Sequence, residues 1–204
     1  MHPTLFSTAF FAPVQYYWHW HQCEQPTLEA CEHYIKQTWR NRCVIGTANG
    51  PMTLSLPVES NTEKTRIRDV RLSDHGNWQH RHWNSIESAY NSSPFFEFYA
   101  DDLRPFFEKK SAYLFDFNED IRMIMCELLE IPKTSQVTTT FLQEGEIPDE
   151  WVDFRNSIHP KKFVDPIFIS EPYYQVFDRK FGFQPNLSIL DLLFNMGPEA
   201  ILYL

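Results

Sequence analysis

The stretch Arg42-Cys43-Val44-Ile45-Gly46-Thr47-Ala48-Asn49-Gly50-Pro51-Met52-Thr53-Leu54-Ser55-Leu56-Pro57-Val58 decides the fold class. Two strand-like runs, residues 42–48 and 52–58, flank Asn49-Gly50, a dipeptide that readily takes the positive φ angles a hairpin turn needs. Pro51 beside the turn and Pro57 within the second run put that strand partly at an edge, since proline donates no N–H to a ladder. A hairpin set among segments of helical period predicts an α+β fold. The expected form is a single domain over residues 1–204, with a mixed sheet containing the 42–58 hairpin packed against several helices.

Toward the N-terminus, residues 5–11 are short, apolar and aromatic and read as a buried strand. Pro13 suits the first turn of a helix whose face is Val14, Tyr17, Trp18 and His21. Residues 28–34 fit helix and strand equally. Beyond the hairpin, residues 65–72 read as a strand with Ile67 inward and a bulge near Asp69. From 77 to 90 the period becomes helical: Trp83, Ile86 and Tyr90 form one stripe, Trp78, His82, Ser85 and Ala89 its neighbour. A helix is expected over 95–107, bent or restarted at Pro105. Asn118 reads as the N-cap of a helix over 119–129, and residues 136–141 as a strand. Residues 145–168 carry Pro148, Pro160 and Pro166 and read as loop with short elements. Ser188 and Asp191 are spaced like a capping box before an apolar helix. Asn195 and Gly197 stop that helix, and Pro198 can open a last short one.

The 204 residues carry 18 basic and 27 acidic side chains, a net charge of −9. That balance argues against a general nucleic-acid binder, which needs a basic surface to neutralise phosphates. With 16% aromatic residues the chain can bury a large core and is not a disordered one. Its six glycines are isolated, so no P-loop or dinucleotide-binding fingerprint can be written from them. Cys23, Cys31, Cys43 and Cys126 form no CxxC pair and read as free thiols. The apolar start lacks a positive n-region, and no stretch reaches the ~18 apolar residues of a span. The expectation is a cytoplasmic protein without a membrane span.

Several residues could carry chemistry. The pairs His19/His21 and His80/His82 lie in helical segments, where i and i+2 point apart, so neither pair chelates. His19 with Cys23 could share a metal but makes no site alone. His82, on a half-buried helix face, is a candidate general base. From position alone, a core-edge histidine bonded to a carbonyl is the simpler reading. Lys36, Arg40 and Arg42 gather just before the hairpin, and Lys64, Arg66 and Arg68 alternate along the expected next strand. Such clusters in an acidic chain suit an anionic ligand such as phosphate or carboxylate, or else an ordinary charged edge. Cys43 lacks a histidine partner for nucleophilic work, and capping accounts for Asp191.

Several strings are more specific. Residues 7–17, Ser-Thr-Ala-Phe-Phe-Ala-Pro-Val-Gln-Tyr-Tyr, come first, followed by Lys36-Gln37-x-x-Arg40-Asn41-Arg42-Cys43. Then come Leu54-Ser55-Leu56-Pro57-Val58, His82-Trp83-x-x-Ile86 and Ser93-Pro94-Phe95-Phe96. The series ends with Gly182-Phe183-x-Pro185-Asn186-Leu187-Ser188 and Asp191-Leu-Leu-Phe-Asn195-x-Gly197-Pro198. Together they resemble the WbqC-like family over nearly the whole chain, most clearly at 7–100 and 173–204, and the branch common in Bacteroidetes. More distant members begin with His-Gln-Pro, where this chain has Ser7, Thr8 and Ala9, so a role for that histidine does not carry over.

The resemblance implies a place among surface-polysaccharide (O-antigen) genes, with glycyl or aminoacyl transfer to an amino sugar as the suggested reaction. It brings no established catalytic residues, but it singles out Asn41, Arg42 and His82. The resulting expectation is a transferase acting on a phosphorylated or nucleotide-linked amino sugar. Arg42, Lys64 and Arg66 would hold phosphate or carboxylate, Asn41 would orient a carbonyl or hydroxyl, and His82 would take the acceptor's proton. Trp39, Trp78 or Trp83 would stack a base or sugar. The alternatives are a non-catalytic binding or assembly protein of envelope biosynthesis, and a metal-dependent hydrolase whose ligands would come from His19, Cys23, His75 and distant carboxylates. No cofactor or oligomeric state is identified.

Overall fold

The computed structural model describes residues 2–59, 64–161 and 165–204. Strand β1 (Thr4–Phe6) runs into a buried irregular link, residues 7–12, and then helix α1 (Val14–Gln22), with extended Pro13 as its N-cap. The strand expected over 5–11 therefore ends at Phe6. Beyond it the backbone bonds elsewhere, as where Phe10 N donates to Trp39 O at 2.8 Å. Strand β2 (Pro26–Leu28) returns parallel to β1, with Phe6 opposite Leu28.

Strands β3 (Arg42–Thr47) and β4 (Gly50–Ser55) form the expected hairpin, with Arg42 opposite Ser55 and Thr47 opposite Gly50. Its turn is one residue earlier than expected: Ala48 and Asn49 are the loop, and Gly50, not Asn49, carries the positive φ (95°). Thr47 Oγ1 closes it, donating to Gly50 O at 2.7 Å and accepting from Asn49 N at 3.2 Å.

Residues 65–72 do not form the expected strand; they hold a 3-10 turn at Ile67–Asp69 and isolated bridges. Ile67 N bonds Glu32 O, Leu72 N bonds Ala112 O, and Val70 O receives Leu114 N. With each group taken by a different neighbour, no ladder propagates. Ile67 does point inward.

Helix α2 (Trp78–Tyr90) buries both expected stripes apart from half-buried Ser85. The next helical region is two pieces, α3 (Phe96–Leu103) and α4 (Pro105–Glu108), restarting at Pro105 because proline cannot donate to the preceding turn. Helix α5 (Leu114–Leu128) begins earlier than expected. Asn118 is not its N-cap but a buried interior residue, whose Nδ2 donates to Arg40 O at 2.8 Å. Strand β5 (Gln136–Val137) is shorter than expected, and β6 (Val152–Asp153) lies in the region read as loop, of which residues 162–164 lie outside the described ones.

The short α6 (Asp178–Phe181) precedes α7 (Ile189–Met196), capped by Ser188 Oγ accepting from Leu190 N. A 3-10 segment, Gly197–Tyr203, carries Pro198 as expected. Asp191 does not serve as a cap. Its buried carboxylate accepts from Tyr90 Oη (2.9 Å), Tyr173 Oη (2.8 Å) and Gln175 Nε2 (2.8 Å), and burial raises its pKa to about 6.

The fold is α+β: a parallel four-stranded sheet in the order β5-β2-β1-β6, with the hairpin as a separate two-stranded ladder packed against α2 and α7. The aromatic excess is largely core. Phe6, Tyr16 and Trp20 pack across α1, while Phe11, Phe107, Trp83, Phe96, Phe194 and Tyr90 join the β1–α1 link to α4, α2, α3 and α7. Among the described residues no helix is long and apolar enough to cross a membrane.

Candidate functional site

The order of the parallel sheet reverses between β1 and β6. From β1 the strands β2 and β5 follow outward on one side, and β6 then sits on the other. In open parallel sheets such a reversal leaves a crevice at the carboxyl ends of the strands, the usual ligand position. Here those ends deliver Ser7 and Thr8 after β1, Glu29 after β2, Thr138 after β5, and Phe154 and Arg155 after β6.

These residues meet a dense buried charge network. Arg40 donates from Nε to Glu32 Oε1 (2.8 Å) and from Nη2 to Glu32 Oε2 (2.5 Å) and Ser7 Oγ (2.6 Å). Arg155 grips Asp153 from Nε and Nη2, at 3.0 and 2.8 Å to the nearer oxygens, and reaches Leu142 O (2.7 Å) and Glu29 Oε2 (3.2 Å) from Nη1. Glu29 also accepts from Thr138 Oγ1 (2.6 Å) and Leu142 N (3.1 Å), which ties the segment after β5 to the sheet. Thr8 Oγ1 donates to Glu119, itself paired with Arg122 at 2.8 Å. Charges this deep are held only by such pairing, since each alone would pay its full desolvation. Burial raises the pKa of Glu32 and of Glu119, partly offset by Arg40 and Arg122 respectively.

Above the network opens a pocket of about 680 Å³, whose wall includes Glu32, His33, Ile35, Phe141, Arg155 and Asn156. Phe141 is 48% exposed and its ring faces the Arg155 guanidinium at 5.2 Å. His33 is exposed and forms an isolated antiparallel bridge with Arg66. The pocket thus combines an apolar platform, an accessible imidazole, a carboxylate and a fixed cation.

The residues expected to form a site fall in three places. His82 is buried between Phe10 and Trp78, and among the described residues its Nδ1 has no hydrogen-bond partner. Burial, with Arg81 adding to it, lowers its pKa to about 4. Trp78 is buried too, donating from Nε1 to Ser73 O at 2.9 Å. Asn41 holds the base of the hairpin, where its Nδ2 donates to Leu56 O at 3.1 Å and its O accepts from Leu56 N at 2.8 Å. Arg42 is half-buried near Tyr34. Lys64 and Arg66 are exposed, and Arg66 abuts the His33 wall of the pocket through the bridge. Asn41, Arg42, Lys64, Arg66, Trp78 and His82 do not line this pocket, the groove beside α4 and α5, or the one between the hairpin turn and α2.

Glu29, Glu32, His33 and Arg155 escaped the sequence reading. The signal for the first three was a pair of acids and a histidine directly after an apolar run, in the segment left ambiguous at 28–34; Arg155, in the region read as loop with short elements, had none.

The histidine-cysteine metal idea finds no convergence. His19 Nε2 pairs with Asp165 Oδ2 at 2.5 Å, and Cys23 Sγ donates to His2 O. Among the described residues no three His, Cys, Asp or Glu side chains gather to hold a metal ion. Cys43 is fully buried, and burial pushes its thiol far up, away from thiolate chemistry.

A family model described as the WbqC-like protein family matches residues 8–168. The uncharacterized protein Rv1507c of Mycobacterium tuberculosis is 29% identical, across 84% of this chain and 83% of its own. No solved structure gives a significant match.

Proposed function

For a chain that belongs to the WbqC-like protein family, we propose a transferase that moves an aminoacyl (glycyl) or acyl group onto the amine of a nucleotide-linked amino sugar in surface-polysaccharide biosynthesis of the O-antigen type. The observation that carries this reading is the 680 Å³ pocket at the reversal of the parallel sheet, where His33, Glu32, Arg155 and Phe141 converge. Phe141 and Ile35 offer flat apolar walls for a base or sugar ring. Arg66 and Lys64, exposed on the His33 side, suit the phosphates. The stretch where more distant members carry His-Gln-Pro, Ser7 to Ala9, forms the floor beneath.

The chemistry follows from these groups. The acceptor amine attacks the acyl carbon, a C–N bond forms, and the bond to the donor's oxygen or sulfur leaving group breaks. His33 takes the proton released by the amine, because imidazole is the accessible side chain suited to that transfer, and the leaving group takes up a proton in turn. Arg155, clamped by Asp153 and Glu29, supplies a fixed positive charge beside the developing oxyanion. In this assignment His82, Trp78 and Asn41 are scaffold.

Incubating the protein with nucleotide-linked amino sugars and aminoacyl or acyl thioester donors, read by mass spectrometry, tests the reading. The expected result is an acylated amino sugar, lost in His33→Ala at unchanged melting temperature. Absence of product, together with no ligand-induced melting shift for any combination, overturns it. That outcome favours the assembly-protein reading, for which Ile167 (62% exposed) and Ile169 (78%) offer an apolar docking strip.

A further inference from the structure

Beneath the pocket, and sharing Arg155 with it, lies a cavity of only about 10 Å³, walled by Ser7, Thr8, Tyr16, Trp39, Arg40 and Arg155 among others. Such a volume holds about one oxygen atom or water. One of its walls carries an N–H donor with nothing among the described residues to receive it, the buried Trp39 Nε1. On another wall the buried Arg40 guanidinium is bonded through Nε and Nη2 to Glu32, Ser7 Oγ and Arg155 O. A buried donor left unpaired is costly and calls for an explanation.

Both residues are also held in place through their backbones. Trp39 O accepts from Phe10 N at 2.8 Å, which pins it to the β1–α1 link, and Arg40 O accepts from Asn118 Nδ2 at 2.8 Å, which pins it to α5. A fixed, unpaired N–H and a guanidinium around a one-atom space favour an accepting atom over an ammonium.

We propose that this cavity is an oxyanion hole, in which Trp39 Nε1–H, with the Arg40 guanidinium on the neighbouring wall, receives one negatively charged oxygen of a carboxylate, acyl or phosphoryl group. It rests on the pocket above being the ligand site and adds which atom of the ligand enters first. During acyl transfer it would take the oxygen on which charge develops.

Calorimetric titration of glycine, acetate, orthophosphate and uridine diphosphate into wild type, Trp39→Phe and Phe141→Ala tests it. Trp39→Phe keeps the ring and removes only the donor, so its melting temperature should equal or slightly exceed that of wild type. At least one anionic probe should bind it about tenfold more weakly, the loss of one hydrogen bond to a charged group. Loss for glycine and acetate identifies a carboxylate-type oxygen, and loss for orthophosphate and uridine diphosphate a phosphoryl one. Unchanged affinity for every probe in Trp39→Phe overturns the hole, as does a melting temperature several degrees lower, which would make the N–H structural. If Phe141→Ala weakens binding while Trp39→Phe does not, the pocket reading survives and the hole fails. If wild type binds none of the probes, both fail.

Discussion

Glu29 Oε2 accepts from Arg155 Nη1 at 3.2 Å across 126 residues of chain, with both side chains almost wholly out of solvent. Glu29 also receives the segment after β5, so one carboxylate joins two strand ends and the wall of the pocket. Glu29→Ala should cost about 3–5 kcal/mol, because it leaves a guanidinium buried with less compensation. Glu29→Gln should cost less. Urea denaturation of the two variants checks this, and a loss below about 1 kcal/mol in Glu29→Ala would mean the pair does not hold the site together.

Phe141 is the pocket residue most easily changed without harm to the fold, being nearly half exposed. Phe141→Ala should leave the melting temperature within about a degree of wild type, as surface substitutions usually do. Nucleotide-sugar binding should weaken roughly tenfold, in line with one lost stacking contact of ~1–3 kcal/mol. Titration against wild type separates binding from stability.

His82 sits among Phe10 and Trp78, with Nδ1 unpaired among the described residues. His82→Ala should lower stability by ~2–4 kcal/mol through the cavity it leaves. His82→Phe should be close to neutral, since it fills the space and removes a buried polar atom. Turnover retained in His82→Phe would confirm a packing role; turnover abolished at full stability would restore His82 as the base.

Two buried groups, His82 and Asp191, pull stability in opposite directions as pH falls. His82, with a pKa near 4 in the fold, stays neutral where the unfolded imidazole, near 6.5, binds a proton. Unfolding therefore takes up a proton between those values, and stability drops as pH falls from about 6.5 to 4, by up to ~3 kcal/mol. Asp191, near 6 in the fold, is protonated where the unfolded carboxyl, near 3.8, is not, so its contribution is present below about 4 and is lost as pH rises to about 6. Relative to wild type, His82→Phe should gain stability as pH falls from 6.5 to 4, and Asp191→Asn should lose it from 6 to 4. Thermal melts at half-unit pH steps read both slopes; parallel curves for all three proteins would contradict the assignment.

Gly197 ends α7 at φ 54°, where an added Cβ would stand 2.5 Å from Phe95 Cδ1. Gly197→Ala combines left-handed strain with a clash against an aromatic ring and should cost ~2–4 kcal/mol. A melting temperature equal to wild type would show that Phe95 can move aside.

What could be read directly was what neighbours in sequence enforce. The hairpin at 42–55 follows from two β-runs around a glycine turn, and the buried face of α2 from its period. The break before Pro105 follows from proline's missing donor, and the Ser188 cap from its spacing to an apolar run. The strands of the parallel sheet are two or three residues long, too short to show any alternation, and their partners come from distant parts of the chain. Residues 65–72 had a strand's composition, but no single partner offers them a ladder.

The candidate site divides along the same line. Sequence alone determined that phosphate-binding glycine loops are absent and that any charge holding a ligand must come from side chains. It also singled out the Arg40-Asn41-Arg42 segment, yet it could not show that Arg40 would turn inward to Glu32 while Asn41 braces the hairpin. Only the tertiary structure brought Glu29, Glu32, His33 and Arg155 together at the carboxyl end of the sheet and sent His82 into the aromatic core. The physical reason is that burial and charge pairing depend on which strand ends become neighbours, and that is settled by long-range packing rather than by local period.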